Sequence, residues 1–148
     1  MLILPFSIGD ESYALDARQV VEVAPLVDLR PVPFGPEHLA GLCNYRGSAV
    51  LVFDLSKLLL GRSSARRLST RILFVRITDG QGKERILGLL AEGVTEAVRT
   101  QARVLAGNED GILGPVLDGE EGTVQIVDLD RLMPRLGAPR LPSGEGSE

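Results

Sequence analysis

The chain has 148 residues, a formal net charge of −4 and a 44% hydrophobic share, which suits one ordinary domain with a real core. The charge balance is acidic, aromatic residues are only 4% and Trp is absent, so a set of stacking rings is lacking and no nucleic-acid partner is expected. A lone Cys43 excludes an intrachain disulfide, no apolar run approaches bilayer-spanning length, and Met1-Leu2-Ile3-Leu4-Pro5 lacks the basic start of a signal peptide.

In chain order, Leu2–Ile8 and residues 11–15 read as strands joined by Gly9-Asp10, two residue types that tolerate a tight hairpin turn. Residues 17–23 read as a brief helical turn running into a strand, because Val20, Val21 and Val23 are β-branched. Arg30-Pro31-Val32-Pro33 must be extended, since each proline restricts its predecessor. Residues 36–40 suit one helical turn with Pro36 first and Gly41 after its end. Residues 48–53 form a strand, after which Asp54 caps a Leu-rich helical turn. Residues 61–69 are the natural linker, and Arg62, Arg66, Arg67 and Arg71 read there as solvated charge.

The second half reads alike. Residues 71–78 and 84–90 are strands about a turn at 79–82, residues 92–98 a short helical turn running into a strand, and residues 123–127 a strand capped into a helix by Asp128. A shift of 74 residues lays Tyr13 on Leu87, Leu15 on Leu89, Val20 on Val94 and Glu22 on Glu96, then the run 50–59 on 124–133, with Asp54 on Asp128. That is a diverged internal repeat, with halves at about 1–60 and 70–136 in one domain spanning 1–136. Residues 137–148 are rich in Pro, Gly, Ser and Glu and are expected to be a disordered tail. Many short strands with little helix make an all-β fold, and the repeat makes two small barrels. Each is too small to be stable alone, so they should pack together and leave a groove at the seam.

Chemistry has no visible carrier. His38 and Cys43 fall short of a metal set and match no nucleophile motif, so His38 reads as a surface helix residue and Cys43 as a small buried hydrophobe. Asp54 and Asp128 are explained by capping, and the glycine-rich turns lack the phosphate-loop pattern. No catalytic residue, metal or cofactor is expected. What remains is Gly41-Leu42-Cys43-Asn44-Tyr45-Arg46-Gly47, a glycine-bracketed stretch with the Arg and Tyr favoured at binding hot spots. An Arg that merely satisfies a nearby carboxylate is an equal alternative.

The chain resembles the CheW-like family at residues 6–15, at 20–23, at Pro31-Val32-Pro33, at the 41–47 block, at 50–55, and again at 86–97 and 124–129. The resemblance implies two SH3-like five-stranded β-barrel subdomains packed as one module, with a few short helices. It implies an adaptor that binds the regulatory domain of a CheA-like histidine kinase and the cytoplasmic tip of a methyl-accepting chemoreceptor. Such a protein is cytoplasmic and recruited to membrane receptor arrays without inserting. Arg46 matches the family's Arg, and Val20, Glu22 and Gly41 match positions tied to coupling. Val23, Asn44, Tyr45 and Gly47 complete the expected surface. The stretch 98–111 is shorter than in many members. The alternatives are an isolated regulatory domain of a kinase, against which the Met1 start and the tail speak, and a small β-barrel enzyme using Asp54 and Asp128.

Overall fold

The computed structural model describes residues 1–79, 81–100, 103–106, 113–119 and 122–137. The protein is all-β. Strands β1 (Leu2–Ile8) and β2 (Glu11–Asp16) form a hairpin. A 3₁₀ turn, Ala17–Gln19, is capped by the Asp16 carboxylate, which accepts from the Arg18 amide, and leads into β3 (Val20–Pro25). β4 (Leu39–Tyr45) and β5 (Ser48–Asp54) form the next hairpin, followed by α1 (Leu55–Leu60). Then come β6 (Arg71–Thr78), β7 (Glu84–Ala91), β8 (Val98–Arg99), β9 (Arg103–Ala106), β10 (Leu113–Gly119) and β11 (Gly122–Val127). α2 (Leu129–Leu132) and a 3₁₀ turn, Met133–Arg135, close the described chain.

These strands make two sheets, ordered β8-β1-β2-β11-β10-β9 and β3-β6-β7-β5-β4. The two-residue β8 merely extends the edge of the first, so each is in substance the five-stranded sheet of a small SH3-like barrel. Both halves of the chain contribute to both sheets. β5 lies parallel to β7 with Val52 opposite Gly88, and β11 lies parallel to β2 with Ile126 opposite Ala14. The 74-residue offset of the repeat carries Val52 onto Ile126 and Ala14 onto Gly88. The repeat is therefore present in the pairing register, but each closing strand pairs with the hairpin of the other half.

Side chains alternate between two destinations, as a pleated strand requires. Leu73, Val75 and Ile77 of β6 enter a large cluster with Leu4, Phe6 and Ile8 of β1, Phe53, Leu89, Leu129 and Leu132. Ile72 and Phe74 point the other way, against Val50, Val52 and Leu90. The shared cluster joins the two sheets, which is why β6 reads as an unbroken apolar run rather than an alternating one.

Three local expectations are corrected. Residues 36–40 are not helical: Leu39 N–H donates to the Pro36 carbonyl in a turn, and Leu39 then starts β4 opposite Phe53. Cross-strand pairing outweighs the local preference of one short turn. His38 is half-buried, with its ring 5.9 Å from that of Phe53 and Nε2 donating to the Leu136 carbonyl at 2.7 Å. Residues 92–98 are not helical either. Glu92 bridges to Ser7, and Thr95 N–H donates to the Pro5 carbonyl, so this backbone joins the sheet. Of the 98–111 stretch, residues 101–102 and 107–111 lie outside the described residues, as do 138–148 of the tail. No helix of the described residues is long and apolar enough to cross a membrane.

Candidate partner-binding site

The turn between β4 and β5 is made by Arg46 and Gly47, with φ of 51° and 85°. Two successive positive φ values give the turn whose twist matches a hairpin. Asn44 pins it: its Oδ1 accepts the Gly47 N–H at 3.0 Å. Tyr45 lies flat on Phe74 of β6, with ring centroids 4.2 Å apart and planes at 20°. Phe74 pairs in register with Glu22 of β3, which brings that carboxylate to the turn. The Tyr45 hydroxyl donates to Glu22 Oε1 at 3.3 Å, and Arg46 donates to the same oxygen at 3.4 Å. The Arg46 guanidinium also stands 5.1 Å from the centre of the Tyr45 ring. Desolvation raises the Tyr45 phenol above its usual value.

The cluster thus joins β3 and β4, the two outermost strands of the second sheet, through an aromatic from β6. The Arg46 and Glu22 side chains are 71% and 45% exposed, so their ion pair contributes little to folding and both side chains remain in contact with solvent. The alternative of an Arg held by a neighbouring carboxylate is therefore present, but in a form that leaves the guanidinium in solvent.

Five of the eight expected residues, Glu22, Asn44, Tyr45, Arg46 and Gly47, meet here. Val23 is exposed one residue along β3. Val20 is half-buried, lies before a bulge in the β3–β6 pairing and packs on the shared core. Gly41 has a structural task. Its φ is 152°, and a Cβ there would lie 2.7 Å from the Arg30 carbonyl oxygen and 2.8 Å from Leu29 Cβ. Arg30 and Leu42 exchange both backbone hydrogen bonds across this contact, closing the sheet's end. Gly41→Ala is expected to destabilise the fold by about 1–3 kcal/mol, read as a lower urea midpoint. An unchanged midpoint would show that the 29–30 segment yields freely. Phe74 was missed because an aromatic in an apolar strand carries no signal beyond core.

Cys43 is half-buried beside Val50 and Phe74, and burial raises its thiol. Asp54 and Asp128 are both engaged as caps: Asp54 Oδ1 accepts from the Ser56 and Lys57 amides at 3.1 and 3.3 Å, and Asp128 Oδ1 from the Asp130 and Arg131 amides at 3.1 and 3.2 Å. Among the described residues no three His, Cys, Asp or Glu side chains are grouped as metal ligands.

A family model described as CheW-like domain matches residues 2–136. The chemotaxis protein CheW of Rhizobium meliloti (strain 1021) is 24% identical over 139 residues, which is 89% of this chain and 86% of that protein. The chemotaxis protein CheW of Helicobacter pylori is 30% identical over 94 residues, or 64% of this chain and 54% of that protein. The crystal structure of the scaffolding protein TtCheW from Thermoanaerobacter tengcongensis matches with a TM-score of 0.73 at 24% identity, covering 87% of this chain and 84% of that one. The last likeness is one of fold.

Proposed function

The chain belongs to the CheW-like domain family, and on that footing we propose that it couples methyl-accepting chemoreceptors to a CheA-type histidine kinase. It works as a cytoplasmic scaffold recruited to receptor arrays, with no chemistry of its own. The reading is supported above all by the exposed Glu22–Tyr45–Arg46 cluster on the outer strands of the second sheet. A tight hairpin backed by a stacked aromatic pair presents an arginine with little freedom of its backbone. Pre-ordering of this kind lowers the entropy lost on binding. The engagement of Asp54 and Asp128 as helix caps speaks against the enzymatic alternative that would use these two carboxylates.

The test is a titration of the purified chain with a CheA-type regulatory domain, alongside a pull-down from the source lysate read by mass spectrometry. Arg46→Ala is expected to weaken kinase or receptor binding roughly tenfold, about 1.4 kcal/mol. Its circular dichroism and melting should be unchanged, since the side chain is 71% exposed. Global unfolding of the variant would make Arg46 a folding residue. Failure to recover both a CheA-type kinase and a methyl-accepting receptor would remove the coupling role while leaving the fold.

A further inference from the structure

We infer that residues 61–69 form a second docking surface, fitted to an acidic peptide segment that carries an apolar side chain. The segment has neither helix nor strand, yet its main chain is held at many points. Ser64 donates its amide to Asp54 Oδ2 at 2.8 Å and its hydroxyl to Oδ1 at 2.6 Å. The Ala65 amide donates to Glu92 Oε2 at 2.8 Å. The buried Thr70 hydroxyl donates to the Ala65 carbonyl at 2.6 Å, and the Thr70 amide to the Arg67 carbonyl at 3.0 Å. Val94 N–H donates to the Ser69 carbonyl, and the Arg71 guanidinium to that of Leu68. A linker needs none of this. A surface that must keep one shape does, since each fixed residue costs about 1–2 kcal/mol of backbone entropy.

What the strap displays is uncompensated. Arg62, Arg66 and Arg67 form no side-chain hydrogen bond or ion pair with the described residues, although the chain as a whole carries −4. Leu68 between them and Thr70 is 93% exposed. Beside the strap opens a cleft of about 260 Å³ lined by Ser63, Ser64 and Arg66 together with Leu26, Leu39 and Leu90. Glu37, Asp54 and Thr70 also line it, so its wall is mainly polar and its interior repels a carboxylate. The arrangement fits a partner whose apolar residue packs on the exposed Leu68 and whose carboxylates meet the guanidiniums beside it, where a planar fork pairs two oxygens at once. An anionic bilayer is disfavoured by the net negative charge of the chain and by the carboxylates of Glu37 and Asp54 beside the strap. Nucleic acid is disfavoured by the lack of any aromatic residue on the strap.

The test uses the whole chain and the labelled peptide acetyl-Glu-Asp-Leu-Glu-Glu-Leu-Asp-Glu-amide, followed by fluorescence anisotropy at low ionic strength. Saturable binding is expected, weakening as salt rises. The double variant Arg66→Glu/Arg67→Glu should lose about tenfold or more in affinity, and Leu68→Ser roughly threefold. Arg46→Ala should bind as the parent chain does, which separates this surface from the coupling site. All three altered side chains are exposed, so melting should not move; if charge reversal lowers it, Arg66→Gln/Arg67→Gln serves in its place. The proposal fails if the peptide does not bind, or if its Gln/Asn counterpart binds equally. It also fails if the charge variants bind unchanged, or if phosphatidylglycerol vesicles are preferred to the peptide.

Discussion

Cut after Arg62, the chain is expected to yield two pieces that are each unfolded alone and that fold together when mixed. Residues 1–62 hold β1–β2 and β4–β5 as separate hairpins and leave β3 unpaired, because β6 and β7 stand between β3 and β5 in the second sheet. Residues 63–148 hold β6–β7 and β9–β10–β11 in different sheets, with no strand to join them. An isolated hairpin is marginal in water, and neither piece contains a complete five-stranded sheet. The shared cluster is divided as well: Leu4, Phe6, Phe53 and Leu55 fall in one piece, and Leu73, Leu89, Leu129 and Leu132 in the other. Circular dichroism and amide proton dispersion should show coil for each piece and native-like spectra for the equimolar mixture. A dispersed spectrum from either piece alone would mean that half the chain closes a barrel by itself.

Asp54→Ala and Asp128→Ala are expected to differ sharply although the repeat makes them equivalent positions. Asp128 accepts two amide hydrogen bonds and is 37% exposed on its side chain, so its loss is that of an ordinary helix cap, about 1 kcal/mol. Asp54 is only 6% exposed and accepts from Ser56, Lys57 and twice from Ser64. Removing it strands buried donors in addition to uncapping α1, a loss of about 3–5 kcal/mol. That is a large fraction of the stability of one domain. Urea unfolding measures both. Trypsin gives a second readout: once the strap is released, cleavage after Arg62, Arg66 and Arg67 should accelerate in Asp54→Ala and stay slow in Asp128→Ala. Equal losses at the two positions would show that the strap adds nothing to the cap.

The family likeness and most of the local structure were legible in the residues. Alternating or continuous Val, Leu and Ile runs marked β1, β2, β5, β6 and β7, and Gly9, Gly47 and the two capping aspartates marked where they end. The candidate surface was half legible. Arg46 and Tyr45 stood out by type, whereas their support by Phe74 and Glu22 depends on the β3–β6 register, which no local pattern encodes. Gly41 was legible as important but not as the point where the 29–30 segment crosses β4.

By itself the sequence determined which segments are extended, where they turn, and that two stretches repeat at a spacing of 74, because each follows from side-chain size, branching and backbone freedom over a few neighbours. Only the tertiary structure decided which hairpin each repeat's last strand joins, that residues 61–69 are a fixed strap, that 36–40 is a turn running into β4, and that 92–98 is not helical. These outcomes rest on partners distant along the chain: Val52 with Gly88, Ile126 with Ala14, Asp54 with Ser64 and Glu92 with Ala65. A backbone hydrogen bond is indifferent to the identity of the residues that make it. The choice among possible pairings is therefore made by which arrangement buries the shared core, and not by any local signal.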